Sequence, residues 1–107
     1  MTALDLCKDS RFTLLCGPGD RPLASVYCCD LLSLVMGRAP AGCAWVTVMG
    51  NLNSIAVAVL ADAACIVLAE GMPLDADARA RAEAEDVTVV STRLPVYEAA
   101  MAIRPGE

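Results

Sequence analysis

The chain contains no histidine and only one lysine, Lys8, among its 107 residues. The first absence removes the commonest general base near neutral pH and the commonest metal ligand. The second leaves a serine nucleophile without its usual alternative base everywhere but the N-terminal region. Positive charge is scarce, with eight Lys and Arg against thirteen Asp and Glu and a formal net charge of −5. That balance lacks the basic footprint on which nucleic-acid binding rests. No G-x-x-x-x-G-K-[ST] phosphate loop and no G-x-G-x-x-G turn occur, which excludes the common nucleotide-handling fingerprints. No C-x-x-C pair occurs either, so zinc-ribbon and thioredoxin-type chemistry lack their signature. The longest apolar stretch, Ile55 to Ala69, is broken by Asp62 and falls short of the roughly 20 residues a bilayer span needs. Residues 1–16 intersperse Asp5, Lys8, Asp9 and Arg11 with apolar positions, which is not a signal-peptide pattern. A cytoplasmic protein without metal, cofactor, nucleic-acid or membrane partner is the expectation.

What is present is apolar: 57% of the residues are hydrophobic. A chain of this length suits one domain spanning residues 1–107, with its core in about residues 10–103 and a radius of gyration near ~13 Å. The apolar fraction argues against a disordered tail or a disulfide-stapled mini-protein. Of the six cysteines, Cys16, Cys28 and Cys65 sit in or beside apolar runs, where a thiol packs as a small hydrophobe. Adjacent Cys28 and Cys29 suit a relaxed disulfide poorly. Reduced, structural thiols are expected.

Thr2 opens a short helix predicted through Lys8, and residues 11–16 read as a strand. Gly17-Pro18-Gly19-Asp20 is the strongest turn signal. Leu23 to Cys28 reads as a second strand, and Asp30 is placed to cap a helix through Met36, closed by Gly37. Residues 44–48 read as a buried strand. The loop 50–54 leads, through an Asn or Ser cap, into a helix that ends near Ala61. That helix is apolar on every side, and such a helix must be covered on both faces. A small domain has few elements for the purpose, so a homodimer contact through Ile55, Val57 and Val59 is predicted. Residues 64–68 form the next strand, 75–86 a charged helix, 87–90 a last short strand and 96–103 a final helix. The alternation from residue 44 onward signals a single α/β domain. It reads as a mostly parallel sheet of about five strands flanked by helices, with a mixed or antiparallel N-terminal edge.

Ligands of such sheets collect at the carboxyl ends of the strands. The candidates there are Asp30, Thr47, Asn51, Asn53, Glu70, Ser91 and Thr92. Asp30, Asn53 and Ser91 also read as helix caps, Trp45 as core, and Arg93 as a phosphate contact or a surface ion pair. Asn51, between a strand end and a helix start, is placed to hold a small anion with free backbone amides. No nucleophile–base pair can be assembled from this set, so no catalytic residue is assigned.

Several strings, taken in order and spacing, resemble the DRTGG-domain family over roughly residues 10–102. They are residues 27–37 (YCCDLLSLVMG), Trp45-Val46-Thr47, residues 51–58 (NLNSIAVA), residues 66–71 (IVLAEG), Val89-Val90-Ser91-Thr92 and Tyr97-Glu98-Ala99-Ala100. The resemblance implies an α/β domain that usually dimerises. It is similar to the non-catalytic N-terminal part of HPr kinase/phosphorylase, to a domain of phosphotransacetylases, and to domains beside CBS modules in some pyrophosphatases. Small stand-alone members resemble accessory proteins, some encoded near iron-only hydrogenase components, which makes a metabolic or hydrogenase-related enzyme the implied partner. Ala69-Glu70-Gly71 stands where longer relatives carry Thr-Gly-Gly, and Asn51 stands where the family often has an acid or histidine. The serine kinase activity attached to such names belongs to a P-loop domain, and this chain carries no such loop. The expected function is a non-catalytic, homodimeric regulatory or protein-interaction module. The alternative is a sensor of an adenine nucleotide or another phosphate compound.

Overall fold

The computed structural model describes residues 1–107. Along the chain run α1 (Ala3–Leu6), β1 (Phe12–Cys16), β2 (Ser25–Cys28), α2 (Leu32–Arg38), β3 (Cys43–Thr47), α3 (Leu52–Ala61), β4 (Cys65–Leu68), α4 (Ala76–Ala84), β5 (Val89–Thr92) and α5 (Val96–Ala102). The strands form one sheet in the order β1-β5-β4-β3-β2. β2 through β5 run parallel, and β1 pairs antiparallel with the outer side of β5. The α/β reading and its antiparallel N-terminal edge therefore stand. β1 and β2 do not form a hairpin, because the Gly-Pro-Gly segment carries the chain toward the opposite edge. Gly17 has φ 88° and lies so close to Thr88 that a Cβ would come within 2.4 Å of the Thr88 Cα. The Gly19 amide donates to the Thr88 hydroxyl at 3.0 Å.

Alternate strand residues point to opposite faces, and the core divides accordingly. Ala44, Val46, Cys65, Val67 and Val90 meet Leu6 of α1 and Ala99 of α5 on one face. Trp45, Ile66, Leu68 and Val89 meet Val35 of α2, Ile55 of α3 and Ala78 of α4 on the other. Three helices share that second face because each crossover from β2 to β5 steps the same way across the sheet. Trp45 is fully buried, and its indole Nε1 donates to the Cys29 carbonyl at 2.8 Å. All six cysteines are free, with Cys16, Cys43 and Cys65 buried. The Cα radius of gyration is 11.8 Å, and no helix is long and apolar enough to cross a membrane.

Several sequence expectations need correction. α3 buries Ser54, Ile55, Val57 and Ala58 within the monomer, while Val59 and Leu60 are 44% and 72% exposed. Ile55 and Val57 therefore belong to the monomer's own core, where the sheet, α2 and α4 cover that side. Of the three predicted contact residues, Val59 alone faces outward. Asp30 does not cap α2, whose N-cap is Leu31 without a side-chain hydrogen bond. Gly37 lies inside α2, and the residue closing that helix is Ala39 in an extended conformation. β5 begins and ends two residues later than predicted. Asp86, at φ 55°, turns the chain out of α4, and the antiparallel partner β1 holds Ser91 and Thr92 in the ladder opposite Thr13 and Phe12. Ser91 is thus a strand residue, and α5 starts from Pro95.

Candidate functional site

The four parallel strands end along one edge of the sheet. β1 runs the other way, so its start, with Ser10 and Arg11 just before it, arrives at the same edge. The helix layer stops at α4, which packs on the bulged end of β1 (Leu15, Cys16) and leaves Thr13 at its start lining open space. A groove of about 710 Å³ results, within the range of small-molecule sites. Thr13 and Ser91, paired across the two strands, lie on its floor beside Leu15. The bulge between Leu14 and Cys16 inserts Leu15 as an extra residue, so that Cys16 turns into the core layer with Trp45.

The opposite wall is the β4–α4 loop, Gly71 to Leu74, with Arg79 of α4. This loop is held at several points. The Gly71 amide donates to the Thr92 carbonyl and the Glu70 amide to the Leu94 carbonyl, each at 2.9 Å, and the Asp75 amide donates to the Gly50 carbonyl at 2.8 Å. Gly50 packs so tightly on the loop that a Cβ would stand 2.1 Å from the Pro73 carbonyl oxygen.

Three arginines line the groove, Arg11, Arg79 and Arg93, and no Asp or Glu does. In a chain of eight cationic and thirteen acidic residues this is a marked local reversal of sign. Arg11 is fixed by Asp9, which accepts from its Nε at 3.0 Å and its Nη2 at 2.6 Å. The Arg11 guanidinium in turn holds the Asp9 carboxyl down at about 2. Arg79 Nη2 donates to the Leu15 carbonyl, tying α4 to the bulge in β1. Neither Arg79 nor Arg93 takes part in any of the four ion pairs of the molecule.

Of the residues predicted at the strand ends, Ser91 and Thr92 line the groove. The others do different work or none at this site. Asp30 Oδ1 accepts from the buried Thr47 hydroxyl at 2.7 Å and from the Val48 amide at 3.0 Å, locking the β2–α2 loop to the end of β3. Asn51 caps α3, its Oδ1 accepting from the Ser54 amide at 3.0 Å and hydroxyl at 3.2 Å, so its carbonyl oxygen is engaged within the fold. Asn53 is exposed in the first turn of α3, and Glu70 is exposed in a turn at φ 62°. Arg11 and Arg79 were not singled out from sequence, because the β1–β5 pairing that gathers them joins distant segments. The scarcity of cations was the one available signal.

No family model matches the chain, and no curated protein does. A solved structure matches it in three dimensions: the CBS and DRTGG domains of the regulatory region of a Clostridium perfringens pyrophosphatase, complexed with the activator diadenosine tetraphosphate. The two superpose with a TM-score of 0.70 at 12% identity. The fold is DRTGG-like. The match covers 94% of this chain and 45% of the other, so the chain spans less than half of that regulatory region. A DRTGG-like fold thus accounts for the element order.

Proposed function

We propose that the chain is a non-catalytic regulatory module that senses a small ligand, and that the groove between β1, β5 and α4 is where the ligand binds. The observation that carries this reading is the groove itself. It is concave, walled by a loop tied down at both ends, and lined by guanidinium and hydroxyl donors with a few apolar side chains. None of its lining side chains takes up a proton near neutral pH, since guanidinium stays charged and Ser or Thr hydroxyls need a partner base. Such a set binds and orients; it does not carry protons for a reaction. The similarity to a pyrophosphatase regulatory region complexed with a nucleotide activator supports a sensing role. A thermal-shift screen of small metabolites, followed by amide chemical-shift mapping, tests it. A ligand at a hundred times its Kd adds about 2.7 kcal/mol of stability, and the amides of Thr13, Gly71 and Ser91 shift with it. If every stabilising compound leaves those amides unmoved, the reading fails.

A second reading, a homodimeric protein-interaction module, is favoured by a different surface. Leu52, Val59 and Leu60 form an exposed apolar stripe on α3, and Leu34 and Met36 are exposed on the neighbouring α2. Sedimentation equilibrium at micromolar concentration tests it, and a monomer there removes it.

A further inference from the structure

We infer that the groove is a site for an organic phosphate, with the phosphoryl group held at the Arg11–Arg93 end. This deepens the ligand-sensing reading and rests on it. The antiparallel ladder ends with Thr13 opposite Ser91 and Phe12 opposite Thr92, so Arg11 and Arg93 are the next residue beyond it on each segment, and both line the groove. Like charges gathered at one end of a groove repel. Asp9 neutralises one of them from outside the groove, leaving Arg93 as the uncompensated charge. Arg79 closes the set from α4 while already anchored by the Leu15 carbonyl, so it reaches a ligand with part of its freedom already lost.

The donor count favours phosphate over carboxylate. Each guanidinium carries five N–H donors, and only two on Arg11 and one on Arg79 are engaged. The hydroxyls of Thr13 and Ser91 add to them. A carboxylate offers two oxygens, whereas a terminal phosphate offers three and matches the planar guanidinium fork in the same bidentate way. A groove of about 710 Å³ is much larger than a phosphate ion, and Leu15, Met72, Leu74 and Leu94 give it an apolar lining beside the arginines. The remaining space therefore suits an organic body of roughly nucleotide size.

Calorimetric titration of the intact chain with ADP, inorganic pyrophosphate and adenosine tests the assignment, with Arg93→Gln and Arg79→Gln as variants and Arg38→Gln on α2 as control. ADP is expected to bind, pyrophosphate more weakly, and adenosine not measurably at the same concentrations. Arg93→Gln should weaken ADP about tenfold or more, as expected for loss of a charged hydrogen-bonding partner, with Arg38→Gln unchanged. Pyrophosphate binding as tightly as ADP would overturn the organic part of the assignment. Adenosine binding equally well, indifferent to Arg93→Gln, would overturn the phosphate assignment while leaving the groove as a ligand site. ADP that binds without shifting the Thr13, Gly71 and Ser91 amides, or does not bind at millimolar concentration, overturns the proposal.

Discussion

Gly50 and Gly37 invite the same substitution with opposite outcomes. At Gly50 an added Cβ stands 2.1 Å from the Pro73 carbonyl oxygen and 3.1 Å from both Leu68 Cδ1 and Leu74 Cα. An unstrained carbon–oxygen contact is about 3.3 Å or longer, so the Gly71–Leu74 loop must retreat by roughly an ångström. Two of the three contacted atoms, the Pro73 carbonyl oxygen and Leu74 Cα, are backbone, which no rotamer change moves. Overpacking of this kind costs about 1–3 kcal/mol. Disturbing the 2.8 Å bond from the Asp75 amide to the Gly50 carbonyl adds about 0.5–1.5 kcal/mol. Gly50→Ala is therefore expected to lose about 3 kcal/mol, a fall in Tm of roughly 12–24 °C for a domain of this size. Gly37 lies in the last turn of α2 with open space where a Cβ would go, so Gly37→Ala should gain about 0.5 kcal/mol. Urea titrations of both variants, followed by circular dichroism, measure the difference directly. A Gly50→Ala loss below ~1 kcal/mol would mean the loop yields freely, and the fixed groove wall argued from it would be wrong.

Other outcomes follow from the same packing. Val57→Glu places a charge in the core, where Val57 is only 5% exposed, and should cost roughly 3–5 kcal/mol in a urea titration. Val59→Glu with Leu60→Glu, on the outer stripe, should leave the monomer's stability within about 1 kcal/mol; sedimentation of that variant then reads out any dimer held by the stripe. Asp30→Ala strands the buried Thr47 hydroxyl and should cost about 1–3 kcal/mol, part of which Thr47→Val in the same chain restores. Exposed Cys28 should react with a thiol reagent in the native protein, while Cys65 reacts only after unfolding. Burial pushes the Cys65 thiol from 9.0 up to about 12. The unfolded chain therefore loses that proton first, and folding stability should fall as pH rises from about 9 toward 12.

Local signals in the chain were enough for the alternation of elements and the buried Trp45, because apolar runs act over a few residues; the cap of α3, expected at Asn53, is Asn51 two residues earlier. They could not place Ser91 and Thr92. Two hydroxyl residues after an apolar run read as a loop, and it is β1, from the far end of the chain, that keeps them in the sheet. The same pairing hid the site, since Arg11 and Arg93 come together only through it. Asp30 misled for a related reason. Its spacing before a helix suggested a cap, but Thr47, brought alongside by the parallel β2–β3 ladder, competes for the carboxylate at 2.7 Å. The α3 sequence, apolar on all sides, announced that both faces matter without revealing which one the monomer itself covers.

The antiparallel edge has a consequence for the order of assembly. Phe12 meets Thr92, 80 positions later in the chain (92 − 12), while β2 to β5 each find their partner within one crossover. Closing so large a loop is entropically the most demanding step, and contacts of that separation form late. On the ribosome β1 emerges first yet has no partner until residues 89–92 follow. The parallel sheet is expected to consolidate while β1 is still unattached, so that the groove comes into being only when β1 joins β5.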